Sequence, residues 1–165
     1  MTNPLFDTMF KPHVSSSAPF LIGPDRTPVS YRQFIEKAAQ FAHVFSRWGL
    51  EPGDRLAAQV EKSFHALAVY AACVQSGLVY LPLNTAYTPE ELNYCVNDSV
   101  ASAVLCGDGQ YDAVSAIADS LGCKVATLNG DGTGSLAEEA KPMPVSYATV
   151  DRAEDDLAAL LYTSG

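Results

Sequence analysis

Positive charge is the scarcest property of this chain. Its 165 residues carry 10 Lys and Arg against 19 Asp and Glu, which leaves a formal charge of −9 and a pI near 4.6. A nucleic acid or an anionic membrane demands a basic surface, so neither is expected as a partner. A cysteine framework is missing as well. The four cysteines, Cys73, Cys95, Cys106 and Cys123, stand far apart with no C-x-x-C pair, which spells neither a zinc knuckle nor a redox motif and reads as buried thiols. There is no uninterrupted apolar run of membrane length and no basic-then-apolar leader, so the expectation is a soluble protein of a reducing compartment, the cytoplasm by default. Internal repeats and low-complexity tracts are also lacking.

What is present is ordinary globular material, 48% hydrophobic and 18% charged, enough for one domain with a sizeable core. Pro4 to Phe10 reads as a short amphipathic turn that docks on something larger. Phe20-Leu21-Ile22 and Pro28-Val29 flank Gly23-Pro24-Asp25 and predict a small hairpin. Ser30 and Gln33 form a capping box, and Tyr31, Phe34, Ile35, Ala38, Ala42, Phe45 and Trp48 fall at helical spacing as far as Gly49. A strand follows at Arg55 to Val60. The helix after it, Phe64 to Val74, is apolar almost all round and ends at Gly77.

Val79 to Leu83 reads as the next strand, with Pro82 marking an edge position or the strand's end. Thr88-Pro89-Glu90-Glu91 is a second capping box, opening a helix that buries Leu92, Cys95 and Val96. Strands at Ser102 to Cys106 and Lys124 to Leu128 enclose a helix marked by Tyr111, Val114, Ile117, Ala118 and Leu121. Alternating elements joined by short turns predict an α/β fold with a mostly parallel, flavodoxin-like sheet, whose ligands sit beyond the carboxyl ends of the strands. Pro142 to Asp156 is read as a surface excursion.

Candidate chemistry is sparse in the interior. The three histidines, His13, His43 and His65, have no partner at ligand or triad spacing. The adjacent carboxylates Glu90 and Glu91, Glu138 and Glu139, and Asp155 and Asp156 suit helix starts and solvated faces. Gly130-Asp131-Gly132-Thr133-Gly134 reads as a turn with no apolar helix after it. No residue is assigned a catalytic or metal-binding role.

The last nine residues, Leu157 to Gly165, are different. They read as a buried strand running into Thr163, Ser164 and Gly165, whose hydroxyls and backbone N–H groups suit an anion. Taken alone, such a strand end reads first as a polar turn that has no ligand and only second as a phosphate site. The Lys and helix that usually continue a phosphate loop do not follow, so the expected organisation is the N-terminal part of a larger domain.

Three stretches, in order, resemble the adenylate-forming superfamily of acyl-CoA synthetases, non-ribosomal adenylation domains and luciferases. Val29-Ser30-Tyr31-Arg32-Gln33-Phe34 is similar to its early Leu-Thr/Ser-Tyr-x-Glu-Leu motif, with Gln33 and Phe34 replacing Glu and Leu. Val74 to Leu83 resembles Leu-Lys-Ala-Gly-x-x-Tyr-x-Pro-Leu/Ile, keeping Gly77, Tyr80 and Pro82. Leu161-Tyr162-Thr163-Ser164-Gly165 is similar to the opening of the Tyr-Thr-Ser-Gly-Thr-Thr-Gly-x-Pro-Lys-Gly phosphate loop. Tyr80 to Leu92 and Asp156 to Tyr162 are most like malonyl-CoA synthetases.

The resemblance implies that residues 1–165 are the N-terminal portion of the large domain of an acyl-CoA ligase. Its ATP phosphates would meet Thr163, Ser164 and Gly165, and Mg2+, coenzyme A and malonate or methylmalonate would engage the rest of the polypeptide. It further implies that this stretch alone does not turn over. Ligation of another carboxylic acid, a free-standing α/β binding module and a purely structural domain are the competing readings. A truncated domain would expose a contiguous apolar patch, expected first on the helix from Phe64 to Val74.

Overall fold

The chain begins by folding back onto its own core. The structure, a computed structural model, describes residues 2–23 and 26–163. Helix α1 (Pro4–Met9) starts at Asn3, whose side chain accepts from Phe6 N–H, and buries Phe6. With Phe10 it packs against Phe34 and Tyr70. The partner expected for this segment is therefore the protein's own interior. Strands β1 (Pro19–Ile22) and β2 (Pro28–Ser30) pair as the expected antiparallel hairpin. Pro24 and Asp25 of its turn lie outside the described residues.

Helix α2 (Tyr31–Arg47) opens with both halves of the Ser30 and Gln33 capping box in place. Its apolar stripe, including Phe34, Ala38, Phe41, Ala42 and Phe45, is buried. Strand β3 (Arg55–Gln59) leads into α3 (Phe64–Ser76), capped by Ser63 and closed by Gly77 in the left-handed conformation at φ 74°. Strand β4 (Val79–Pro82) ends at its proline, and α4 (Pro89–Asp98) starts with the Thr88 and Glu91 capping box complete. Then follow β5 (Ala101–Cys106), α5 (Tyr111–Leu121), β6 (Lys124–Thr127) and α6 (Ser135–Ala140).

The main sheet has four parallel strands in the order β4-β3-β5-β6. The order reverses between the first and second crossovers. Right-handed connections therefore put α3 on one face and α4 and α5 on the other. Alternation along the strands divides the core in the same way. Leu56, Ala58, Ala103, Leu105 and Ala126 meet α1, α2, α3 and α6. Ala57, Leu81, Val104 and Cys106 meet α4 and α5. The mostly parallel, flavodoxin-like expectation is met. No helix among the described residues is long and apolar enough to cross a membrane.

Three expectations change. The stretch from Leu157 to Leu161 is not a buried strand but a fringe on β4, joined by one parallel bridge between Tyr80 and Ala159. Leu160 and Tyr162 pack inward, whereas Leu157 and Leu161 are 60% and 73% exposed. An apolar run reports affinity for a core, not whether both faces are covered. The Gly130 to Gly134 loop is in fact followed by a helix, α6, which buries only Leu136 and Ala140 and so leaves too few apolar positions to show periodicity.

The exposed patch expected on Phe64 to Val74 is not found. Helices α1 and α2 cover that surface, and Leu67, 44% exposed, is its main apolar outlier. The excursion from Pro142 is a strap tied down along its length. Met143 O accepts from Gln40 Nε2 (3.2 Å), His43 Nε2 meets Ser146 O (2.8 Å), and Val150 N–H donates to Gln75 O (2.9 Å). Buried Asn3 closes the arrangement, its Nδ2 donating to Val74 O (2.9 Å) and Val150 O (3.1 Å).

Gly77 sits where the strap, α3 and β4 meet. A Cβ there would approach Arg152 Cδ at 3.1 Å, Pro52 Cβ at 3.2 Å and Val150 Cγ1 at 3.3 Å, at a φ that side chains resist. Gly77→Ala is expected to cost about 1–3 kcal/mol, from left-handed strain plus crowding. The measurement is a lower urea midpoint at unchanged m-value; an unaltered midpoint would refute the close fit.

Candidate functional site

The crossovers bring the carboxyl ends of β3, β4, β5, β6 and the 157–161 fringe to one edge of the sheet. That edge is where open parallel sheets take ligands. Strand β3 ends on Gln59, 2% exposed, and a polar group this deep must find partners. Its Nε2 donates to Asn84 O (3.0 Å), while Asn84 Oδ1 accepts from Ala86 N–H (3.0 Å). The central strand thereby fixes the turn that leads from β4 into α4.

On the other side, the β5 and β6 ends are tied to each other. Asp108 N–H donates to Asn129 Oδ1 (3.0 Å), and Asn129 Nδ2 donates to Asp108 Oδ2 (2.7 Å) and Thr133 Oγ1 (2.9 Å). Asp131 Oδ1 accepts from Thr133 N–H (2.9 Å) and Oγ1 (2.7 Å). Hydrogen bonds from Thr127 and Asn129 hold the Asp108 carboxyl below its ordinary range, and Thr133 does the same for Asp131. Between these ends lies a crevice of about 580 Å³ lined by Gln59, Glu61, Thr85, Asp108, Asn129 and Asp131. Three carboxylates on its walls oppose a polyphosphate by simple Coulomb repulsion. A groove of about 450 Å³, walled by α1, Leu78 and Leu157, opens at the amino ends of β4 and the fringe, away from this edge.

The fringe supplies the other corner of the edge. Tyr80 N–H donates to Ala158 O (3.0 Å), and Leu160 N–H returns a bond to Tyr80 O (3.0 Å). Tyr162 O–H donates to Asp98 Oδ2 (2.7 Å), and its ring stands edge-on to Tyr94 with centroids 6.2 Å apart. Desolvation, followed by the Asp98 bond, raises the Tyr162 phenol above its ordinary value. Thr163 follows and is exposed. Ser164 and Gly165, the remaining residues assigned to phosphate, lie outside the described residues.

The other candidates are dispersed. His13 stacks on Tyr31 at 4.4 Å, His43 bonds to the strap, and His65 packs against the Gly132 backbone. Cys73, Cys95 and Cys106 are buried free thiols, and burial pushes Cys106 up to about 11. Cys123 Sγ donates to Ala101 O (2.8 Å). Among the described residues no group of three or more His, Cys, Asp or Glu could hold a metal ion. Gln59, Asn129 and Asp98 were not singled out in the sequence, since isolated polar residues in mixed surroundings carry no periodic or motif signal.

The chain belongs to the AMP-binding enzyme family, which it matches over residues 11–165. Over its whole length it is similar to MatB from Rhodopseudomonas palustris at 42% identity, with TM-scores of 0.96 to the apo and 0.95 to the ATP-bound crystal structure, and covers 33% of that chain. Tyrocidine synthase 3 of Brevibacillus parabrevis is 26% identical over 137 residues, 83% of this chain and 2% of that protein. Long-chain-fatty-acid–CoA ligase FadD13 of Mycobacterium tuberculosis is 28% identical over 140 residues, 83% of this chain and 27% of that protein. The chain spans a third or less of the length of these relatives.

The surroundings of His65 predict a pH dependence of stability. Burial, then Lys37, holds its imidazole below the ordinary 6.5, with Asp131 opposing. A base with a depressed folded pKa binds fewer protons folded than unfolded, so its contribution is complete above 6.5 and is lost as pH falls toward the folded value. The urea midpoint is expected to fall as pH drops below 6.5, and His65→Gln to flatten that part of the profile. An identical slope in the variant would refute the assignment.

Proposed function

We infer that residues 1–165 are the N-terminal portion of the large domain of an ATP-dependent acyl-CoA ligase. The observation that carries this reading is the whole-length likeness to ATP-bound MatB, together with Tyr162 and Thr163 at the carboxyl end of the fringe bridged to β4. Family membership favours it over a free-standing binding module or a structural domain. In the proposed reaction the acid's carboxylate attacks the α-phosphate of ATP, giving an acyl-adenylate and pyrophosphate. The thiol of coenzyme A then displaces AMP.

Thr163 and Ser164 donate to ATP phosphate oxygens in this proposal, and Gly165 lets the backbone come close to them. Charge moving onto pyrophosphate calls for oriented donors more than for a side-chain base, which suits a stretch without a catalytic acid or base. Mg2+ would neutralise phosphate charge and is held in such sites largely by the nucleotide itself. Malonate or methylmalonate is the proposed acid, supported by the Tyr80 to Leu92 resemblance and the 42% identity to MatB. The likeness to FadD13 supports a longer-chain acid as the second reading. Coenzyme A, the acid and the remainder of the polypeptide are the proposed partners, and the cytoplasm the proposed location.

Two measurements test the proposal. The full-length product of the gene containing this chain, assayed for AMP release with malonate, methylmalonate, acetate and a medium-chain acid, is expected to prefer the first two. A preference for acetate or the longer acid would remove the malonyl assignment while leaving the ligase. Purified residues 1–165 are expected to show no malonate-dependent ATP consumption, and turnover above a buffer control would contradict their reading as a partial domain.

A further inference from the structure

The described part of the fringe loses its main-chain pairing just before the proposed phosphate loop. Leu160 N–H, bonded to Tyr80 O at 3.0 Å, is its last main-chain group paired with another main-chain group among the described residues. From there to Thr163 the path is set by side chains. Leu160 and Tyr162 point into the α4 and α5 side of the core, and the Tyr162 hydroxyl reaches the last residue of α4, Asp98, at 2.7 Å. Tyr94, one turn earlier on α4, stands against the Tyr162 ring at 76°. Two contacts from one helix thus hold the residue that immediately precedes Thr163.

We propose that Asp98 is a positioning residue for the nucleotide, acting through Tyr162 to fix the entry of the phosphate loop; this rests on the ATP reading above. A hydrogen bond to an ionised carboxylate is stronger and shorter than one between neutral groups. Backbone donors stabilise a polyphosphate only when they are oriented before it arrives. Asp98 cannot itself attract phosphate, since like charges repel. Its value at this place is geometric. The helix that carries it is anchored in turn. Thr88 and Glu91 cap its first turn, and the preceding Asn84 is held by buried Gln59 of β3. The position of the loop is thereby referred to a central strand of the sheet.

The test compares Tyr162→Phe, Asp98→Ala and their double variant in the full-length gene product. Each single variant is expected to raise KM for ATP about five- to tenfold while kcat and KM for the carboxylic acid change less than about twofold. The double variant should match the singles rather than multiply them, because both remove one interaction. Tyr162→Phe keeps the ring, so it supplies the comparison even if Asp98→Ala folds poorly. Wild-type turnover with an unchanged ATP KM in the variants, equal shifts in both substrates' KM, or multiplying effects would overturn the proposal alone. No ATP-dependent turnover in the wild type would remove the ligase reading and this inference with it.

Discussion

Everything in this fold is arranged around β3. It is hydrogen-bonded to β4 on one side and β5 on the other, and Leu56, Ala57 and Ala58 are buried on alternating faces. A parallel strand flanked on both edges and covered on both faces admits no unpaired polar group until it ends. Gln59 is where it ends, and its carboxamide is used at once to hold the turn into α4. The small side chains of β3 also have a packing consequence. Alanine at positions 57 and 58 lets the helices approach the sheet closely, and Ala68, Ala71 and Ala72 of α3 are buried in the cluster shared with α2 and the sheet.

Much of this order is visible in the residues themselves. The Ser30 and Gln33 box, the Thr88 and Glu91 box and the left-handed Gly77 are local devices, satisfied within a few residues, and each marks its helix end as expected. What the residues conceal is relational. Leu157 and Leu161 have the composition of core strand residues, yet only one face of their segment is covered among the described residues. The apolar circumference of α3 calls for cover on several sides without naming the helices and strap that supply it. The site divides in the same way. Thr163 stands in a recognisable run, but the Asp98 and Tyr162 bond spans 64 positions, and nothing near Asp98 announces it.

The strand-end edge has two electrostatic characters. The crevice beside Gln59 carries Glu61, Asp108 and Asp131, while the corner at Thr163 offers a hydroxyl and, as proposed for the residues after it, backbone donors. In a chain of net charge −9, a phosphate cannot be drawn by a basic surface field. In the proposed reading, oriented dipoles at short range hold it along this stretch. On that reading the geometry of the Tyr162 approach bears directly on the nucleotide.

The most direct test is a crystal structure of the full-length gene product with a non-hydrolysable ATP analogue. The account predicts phosphate oxygens within hydrogen-bond reach of the Thr163 to Gly165 stretch, with the Tyr162 hydroxyl still on Asp98. Phosphates seated instead in the crevice between Gln59 and Asn129, or a loop turned away from the nucleotide, would contradict it.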